Sequence, residues 1–117
     1  MKDLKTAKLL RIHVGEADRA RRQPLYEVLV AEARAAGLAG ATVLRGIASS
    51  GASSVVHRSR LVELSEDLPV VVEIVDAEEK VRAFLDRIDP LLEEAACGVL
   101  MTLETVEILR YAPKKKG

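Results

Sequence analysis

The run LPVVVEIVD, from Leu68 to Asp76, is an almost continuous series of β-branched residues. Such a run is typical of a central β-strand that is covered on most of both faces, because branched side chains pack well on a pleated surface. Pro69 fits only at the start of this strand, since proline cannot donate a hydrogen bond to the ladder. The chain is therefore expected to fold around a β-sheet in which this segment is an inner strand.

Three further segments show the alternation of side chains that is typical of strands with one face on a core. The first is KLLRIHVG, from Lys8 to Gly15, where Leu10, Ile12 and Val14 alternate with Leu9, Arg11 and His13. The others are GATVLRGIA, from Gly40 to Ala48, and the segment from Cys97 to Tyr111. In chain order, the Leu68 segment is thus the third of four predicted strands.

Two segments have the three-four spacing of apolar residues that predicts amphipathic helices. The first begins at Pro24, because proline fits the first helical position, and ends at Gly37, because glycine accepts the left-handed conformation past a helix C-terminus. The second follows Asp76, which forms a capping-box-like pair with Glu79, and Pro90 is expected to stop or bend it. The predicted buried faces are Leu25, Val28, Leu29 and Ala36 in the first helix and Val81, Phe84, Leu85 and Ile88 in the second. Glu27, Glu32 and Arg34 are predicted to face water.

The order of these elements, βαββαβ, predicts an α+β fold of the ferredoxin-like plan. In this plan a four-stranded antiparallel sheet carries two helices on one face, and the strands lie in the spatial order fourth, first, third, second. Residues 1–112 are expected to form this single domain, and residues 113–117 a basic C-terminal tail.

The face of the sheet without helices carries both charged and apolar residues. With Leu10 on the helix side, Arg11 points the other way, where Glu73 and Glu104 are candidates to join it. Arg45 is a fourth candidate, but Val43 and Ile47 share its face, so the sequence leaves the orientation of the second strand open. Around these charges lie Val71, Val75 and Leu100. A monomer would expose these apolar side chains to water, so we expect a homo-oligomer.

Composition excludes several classes of function. Eighteen basic and eighteen acidic residues cancel, which predicts no general attraction to nucleic acid or to an anionic membrane. Aromatic residues make up 3% of the chain, too few for a sheet that stacks RNA bases. The chain contains no asparagine, which acylphosphatases of this strand order require, and no nucleophile–His–acid set, so we expect no enzyme activity. One cysteine and no long apolar run predict a cytoplasmic protein without disulfides or membrane insertion.

The connection from Ser49 to Asp67 is long for a compact domain, and loops of this length are usually functional or disordered. It offers serine hydroxyls, and its arginines present planar donors suited to phosphate or carboxylate. We therefore predict an anionic ligand site. The predicted ligand contacts are Arg45, Gly46, Gly51, His57, Arg58, Ser59 and Arg60. His13 and His57 lack the close pairing that identifies a zinc site, so no metal site is assigned.

Four segments together resemble a bacterial family of PII-like proteins of unknown function, domain-of-unknown-function family one-ninety. They are LRIHVGEAD, PLYEVLVAEARAAGLAGATVLRGIASSG, VHRSRLVELSEDLPVVVEIVD and EEKVRAFL, and the likeness spans Leu10 to about Leu103. The resemblance implies a trimer of ferredoxin-like subunits related to PII signal proteins and to CutA divalent-cation tolerance proteins. PII proteins bind adenine nucleotide in clefts between subunits, beside the base of a long loop to which Ser49–Asp67 corresponds. The chain has no match to PII's own nucleotide-binding motif.

Three functions follow from these observations. The leading hypothesis is a homotrimeric regulatory protein in which a small anionic ligand, with adenine nucleotide as one candidate, orders the Ser49–Asp67 loop and changes docking on a partner protein. The first alternative is a protein-interaction module that needs no ligand. The second is a CutA-like binder of divalent metal. The cofactor is unknown from sequence.

Overall fold

The computed structural model describes residues 6–47 and 68–112. Four long strands and two helices follow the predicted βαββαβ order, and a short hairpin of two-residue strands is added between the first strand and the first helix. The elements in chain order are β1 (Thr6–Gly15), β2 (Arg19–Ala20), β3 (Gln23–Pro24), α1 (Leu25–Ala35), β4 (Thr42–Arg45), β5 (Pro69–Asp76), α2 (Glu78–Ala95) and β6 (Leu100–Glu107).

The main sheet has the strand order β4-β5-β1-β6, and all three neighbouring pairs are antiparallel. The order agrees with the predicted one, with β5 and β1 in the centre. Leu10 of β1 lies opposite Ile74 of β5 on one side and Leu103 of β6 on the other. The predicted ferredoxin-like α+β fold is therefore confirmed.

The core lies between one face of the sheet and both helices. Alternate residues of β1 and β5 point into it because successive side chains of a strand face opposite sides. The sheet contributes Leu10, Ile12, Val14, Val70, Val72 and Ile74. The helices contribute Leu25, Val28, Leu29, Ala33, Val81, Phe84, Ile88 and Leu91. Each large side chain among them stabilises the fold by about 1.5–3 kcal/mol relative to exposure.

Helix α1 differs from the prediction mainly at its start. Pro24 occupies the N-cap position and belongs to β3, so the helix begins one residue later than expected. The predicted end is correct: Gly37 has a φ of 78°, and Leu38 folds back into the core. The buried face includes Ala33 in place of the predicted Ala36, which is half-buried.

The predicted capping box of α2 is wrong. The N-cap is Ala77, and Asp76 is the last residue of β5, where strand alternation points its side chain to the helix side of the sheet. There its carboxylate is buried and accepts hydrogen bonds from the backbone N–H of Ala39 at 2.8 Å and of Ala77 at 2.7 Å. Asp76 therefore ties the α1–β4 connection to the start of α2.

The sequence predicts that Pro90 stops or bends α2, and of these two outcomes the stop is wrong, because α2 continues through this residue to Ala95. Proline inside a helix costs about 3 kcal/mol. Ile88 and Leu91, on either side of Pro90, are both buried in the core, and burial of two such side chains offsets a cost of that size. Packing against the core thus allows the helix to continue through a proline that would end an isolated helix.

Strands β4 and β6 are shorter than predicted. β4 covers Thr42–Arg45 instead of Gly40–Ala48, and β6 covers Leu100–Glu107 instead of Cys97–Tyr111. Both are edge strands with only one neighbour, so fewer pairing partners hold their ends. After Glu107 the chain leaves the sheet.

Glu32 does not face open water as predicted. Its carboxylate accepts a hydrogen bond from Arg87 Nε of α2 at 2.8 Å and lies 3.5 Å from Arg21 Nη1 at the turn that follows β2, and the side chain is 19% exposed. The hydrogen bond from Arg87 is the main reason why the pKa of Glu32 is held below its ordinary value of 4.5. Glu32 thus joins three elements of the helix layer.

We expect Asp76→Ala to lower the free energy of unfolding by about 2–3 kcal/mol, because two backbone donors lose a charged acceptor. Urea denaturation at fixed protein concentration measures the change. Asp86→Ala, on the exposed side of α2, is the matched control and is expected to stay within about 0.5 kcal/mol of the parent. Equal effects of the two substitutions would contradict the role assigned to Asp76.

We expect Glu32→Gln to destabilise the protein at pH 7 by about 0.5–1 kcal/mol, since an ion pair is lost. The pKa of Glu32 is lower in the folded state, so the ionised carboxylate stabilises the fold above the unfolded pKa and this contribution disappears as the pH falls through the lowered pKa. Urea titrations at pH 7 and pH 3 should therefore show a difference that shrinks at the lower pH. Glu27→Gln, an exposed residue of the same helix, should show no such trend.

Candidate functional site

The base of the predicted loop is formed by the ends of β1, β4 and β5. Two backbone hydrogen bonds hold it: Glu16 N–H donates to Leu68 O at 2.7 Å, and Gly46 N–H donates to Pro69 O at 2.7 Å. Of the predicted ligand contacts, the structure describes only Arg45 and Gly46. Gly51, His57, Arg58, Ser59 and Arg60 lie outside the described residues, as does the body of the Ser49–Asp67 segment.

Arg45 lies opposite Val70, whose side chain is buried on the helix side, so Arg45 is not on the open face of the sheet. Of the two orientations that the sequence leaves open for this strand, the structure has the one that places Thr42, and not Arg45, opposite Glu73. Arg45 Nη2 donates instead to the carboxylate of Glu16. Since Glu16 also bonds to Leu68, this ion pair connects both stems of the loop. The role of Arg45 in ligand binding stays a prediction.

Gly46 has a structural reason to be glycine. A Cβ atom at this position would lie 2.8 Å from Cγ of Pro69, whose ring cannot move out of the way easily. The absence of a side chain at Gly46 therefore lets the Pro69 ring of the same chain pack closely against it. Its role as a ligand contact remains a prediction.

Arg11 occupies the centre of the open face, which is the sheet face opposite the helices. Its Nε donates to Glu73 at 2.9 Å and its Nη1 to Glu104 at 2.5 Å, so the predicted alternation of charge across β6, β1 and β5 is confirmed. These hydrogen bonds, led by the one to Glu73, raise the pKa of Arg11. The guanidinium remains charged and joins the two central strands to β6.

Beside this charged row runs an apolar row that also faces away from the helices. Register places Leu100, His13, Val71 and Leu44 next to one another across the four strands. Leu100 is 59% exposed and Leu44 48% exposed. The described chain thus leaves large apolar side chains in contact with water on this face.

A groove of about 610 Å³ lies at the other end of the open face. It forms where the segment after β6 passes alongside the ends of β5 and β4. The lining residues are Ala39, Gly40, Thr42, Glu73, Val75, Val106, Glu107, Ile108, Leu109, Arg110 and Tyr111. Valine side chains supply apolar surface, and a hydroxyl, carboxylates and the Arg110 guanidinium supply polar contacts. A concave site of this size that combines apolar surface with polar groups suits a small organic ligand.

Sequence reasoning missed this groove because it extended the last strand to Tyr111. The groove exists only because the chain leaves the sheet after Glu107. One signal was present: apolar and polar residues stop alternating at Ile108 and Leu109, two adjacent apolar residues, and Leu109 is 95% exposed.

The remaining reactive groups of the described ranges form no further site. Burial, and next the charge of Asp18, raise the pKa of the Cys97 thiol, so the thiol stays protonated at neutral pH and is a poor nucleophile. Across residues 6–47 and 68–112, no three His, Cys, Asp or Glu side chains are grouped so that they could hold a metal ion. None of the helices in these ranges combines the length and the apolar character needed to cross a membrane.

Comparison with known proteins assigns the chain to a family. The model of DUF190, described as "Uncharacterized ACR", matches residues 7–108. The chain belongs to the DUF190 family. A relative from Aquifex aeolicus, named UPF0166 protein, is 41% identical over 102 residues, which cover 87% of this chain and 92% of the relative. A UPF0166 protein from Methanocaldococcus jannaschii is 33% identical over 82 residues, covering 70% of this chain and 75% of the relative.

Solved structures confirm the PII-like fold of this DUF190 protein. CPII from Thiomonas intermedia K12, in a structure bound to ADP and bicarbonate, superposes with a TM-score of 0.67 at 19% identity, over 94% of this chain and 95% of that chain. A putative PII-like signaling protein from Thermus thermophilus superposes with a TM-score of 0.59 at 23% identity, over 91% of this chain and 92% of that chain. The resemblance identified in the sequence is thus confirmed for family and fold.

We expect Gly46→Ala to lower the melting temperature by several degrees, because overpacking against Pro69 costs about 1–3 kcal/mol. Differential scanning calorimetry measures the shift. Gly40→Ala is the matched control, since a Cβ there meets nothing within 4 Å, and it is expected to leave the melting temperature nearly unchanged. An unshifted melting temperature in Gly46→Ala would show that the loop base tolerates a side chain at this position.

Proposed function

We propose that this DUF190 protein is a PII-like regulatory protein that binds a small anionic ligand, in the first place an adenine nucleotide, in the open-face groove. The observation that carries the proposal is the position of the groove on a fold shared with CPII, a protein whose structures contain ADP, AMP and bicarbonate. The protein acts in this proposal as a cytoplasmic homotrimer, and it changes its docking on a partner protein when the ligand binds.

The chemistry of the groove supports a nucleotide. Val75 and Val106 provide an apolar surface against which a planar base can lie. Thr42 offers a hydroxyl for a base or ribose, and Arg110 offers the planar donors that bind phosphate well. The volume of about 610 Å³ lies within the range of small-molecule and cofactor sites.

The open face supports the trimer. Exposed Leu44 and Leu100 lie in the row next to the charged row of Arg11, and neighbouring subunits that pack on this face would remove them from water. The groove lies at the border of the same face, so a neighbouring subunit would convert it into an intersubunit cleft. This arrangement agrees with what the family resemblance implies.

The groove is connected to the predicted docking loop through β4. Thr42 lines the groove at one end of β4, and Arg45 holds the loop base at the other end of this four-residue strand. A nucleotide that tightens the groove would thereby act on the strand that leads into the Ser49–Asp67 segment. Docking through this segment is the output that we propose.

Isothermal titration calorimetry with ADP and AMP, each with and without bicarbonate, tests the ligand. We expect saturable binding, and we expect Arg110→Ala to weaken it about tenfold or more, since charge-assisted hydrogen bonds to phosphate are lost. Arg82→Ala, an exposed arginine of α2 outside the groove, is the control and should bind as the parent does. ADP should remain intact on prolonged incubation, because we propose no enzyme activity.

Sedimentation tests the oligomeric state independently of ligand binding. The proposal predicts a particle of three times the 12.7 kDa chain mass at micromolar concentration. A monomer at these concentrations would contradict the trimer, and absence of heat with every nucleotide would contradict the ligand. If partner docking then proceeds without any ligand, the ligand-independent interaction module is the function.

A further inference from the structure

The hairpin between β1 and α1 carries arginines where other residues are favoured. β2 and β3 pair through Arg19 opposite Pro24 and Ala20 opposite Gln23, which leaves Arg21 and Arg22 as the two turn residues. Their φ angles are 52° and 65°, so both adopt the left-handed conformation. A two-residue hairpin of this kind prefers Asn-Gly or Asp-Gly, because a Cβ disfavours positive φ.

Unfavourable backbone conformations persist where the surrounding structure fixes them, and they cluster at functional sites. The hairpin is fixed in this way. Ala20 is buried in the core, and Arg19 Nη2 donates to the carbonyl oxygen of Arg22 at 2.7 Å, which closes the turn. Arg21 Nη1 lies 3.5 Å from the carboxylate of Glu32 in α1. The tip is therefore presented in a defined conformation.

The hairpin has an excess of positive charge in a chain whose net charge is zero. Arg19, Arg21 and Arg22 are all exposed, and among the described residues Arg22 forms no ion pair with its side chain. The one carboxylate at the tip, Glu32, is already hydrogen-bonded to Arg87. The acidic residues just before the hairpin are also engaged. Asp18 accepts a hydrogen bond from Gly15 N–H at 2.7 Å, and Glu16 pairs with Arg45.

The position of the hairpin relates it to the loop base. β1 ends at Gly15 opposite Pro69, so the hairpin begins at the end of the sheet where the two loop stems meet. It packs against α1 and α2, on the helix side, whereas the groove lies on the open face. A partner that docks at this end of the sheet can contact the hairpin without covering the groove.

We propose that this arginine hairpin, formed by Arg19, Arg21 and Arg22, docks an acidic segment of a partner protein. Guanidinium groups bind carboxylates through paired hydrogen bonds, and several arginines at a fixed tip can bind successive Asp or Glu side chains. A nucleic acid needs a longer track of basic residues, which a chain with balanced charge does not provide. The inference does not depend on the ligand groove.

Fluorescence anisotropy with a fluorescein-labelled hexaglutamate peptide at low salt tests the proposal. We expect saturable binding by the full chain, and about tenfold weaker binding by the Arg21→Asn/Arg22→Gly double variant, which removes two guanidinium groups from the tip. The Arg34→Gln/Arg82→Gln double variant loses the same charge from exposed positions on α1 and α2, and it should bind within about twofold of the parent.

The same hairpin variant has a second readout. Asn-Gly suits this turn better than Arg-Arg, so the variant should melt at a higher temperature than the parent while it binds the peptide more weakly. Loss of binding then cannot result from unfolding. Failure of the parent to bind, or equal losses in the two double variants, would overturn the proposal. Tighter binding of a six-nucleotide oligothymidylate at the hairpin would overturn it in favour of nucleic acid.

Discussion

Burial of one set of alternating side chains from β1 and β5 against α1 and α2 is the interaction on which the other features depend. Leu10 and Ile12 from one central strand and Val72 and Ile74 from the other are almost completely withdrawn from water. Because strand side chains alternate, the same pairing that buries this set turns Arg11, His13 and Glu73 to the opposite face. A fold with helices on one face only must therefore solve the exposure of the other face by charge pairing or by assembly.

The open face has charge pairing in one row and exposed apolar side chains in the neighbouring row. Arg11 bridges Glu73 and Glu104, and this ion-pair row crosses three strands without burying a charge. The adjacent row of Leu100 and Leu44 has no such compensation, and its area exposed to water is a reason for subunits to associate. In the trimer that we propose, the alternating signs of the charged row would penalise a neighbouring subunit that packs in a shifted register.

The sequence predicts the features that alternation and helical spacing encode. Prediction fails where tertiary contacts determine the local structure. The buried faces follow from the spacing within each element, the strand order from the βαββαβ order of the elements, and the Arg11 pairs from strand alternation combined with that order. The prediction for Asp76 fails because a carboxylate at the end of a strand and one at a helix N-cap look the same in the sequence. The predicted stop at Pro90 fails because burial of the residues on both sides of it outweighs its local preference. The side on which Arg45 lies is decided by the register of an edge strand, which four residues with apolar side chains on both faces do not specify.

The two proposed surfaces likewise depend on features that alternation and helical spacing do not encode. The groove forms because the last strand ends at Glu107 and not at Tyr111. The end of an edge strand is set by the length of neighbouring strand with which it can pair. The arginine hairpin depends on a turn that contradicts the usual preference for Asn-Gly, so turn rules predict no hairpin at Arg21 and Arg22. The hairpin lies next to the loop base at the end of β1, whereas the groove lies at the opposite end of the sheet and is connected to the loop base through β4. The Glu16–Arg45 ion pair joins the end of β4 to the residue that follows β1, so it connects, at the loop base, the two strands that lead to these surfaces.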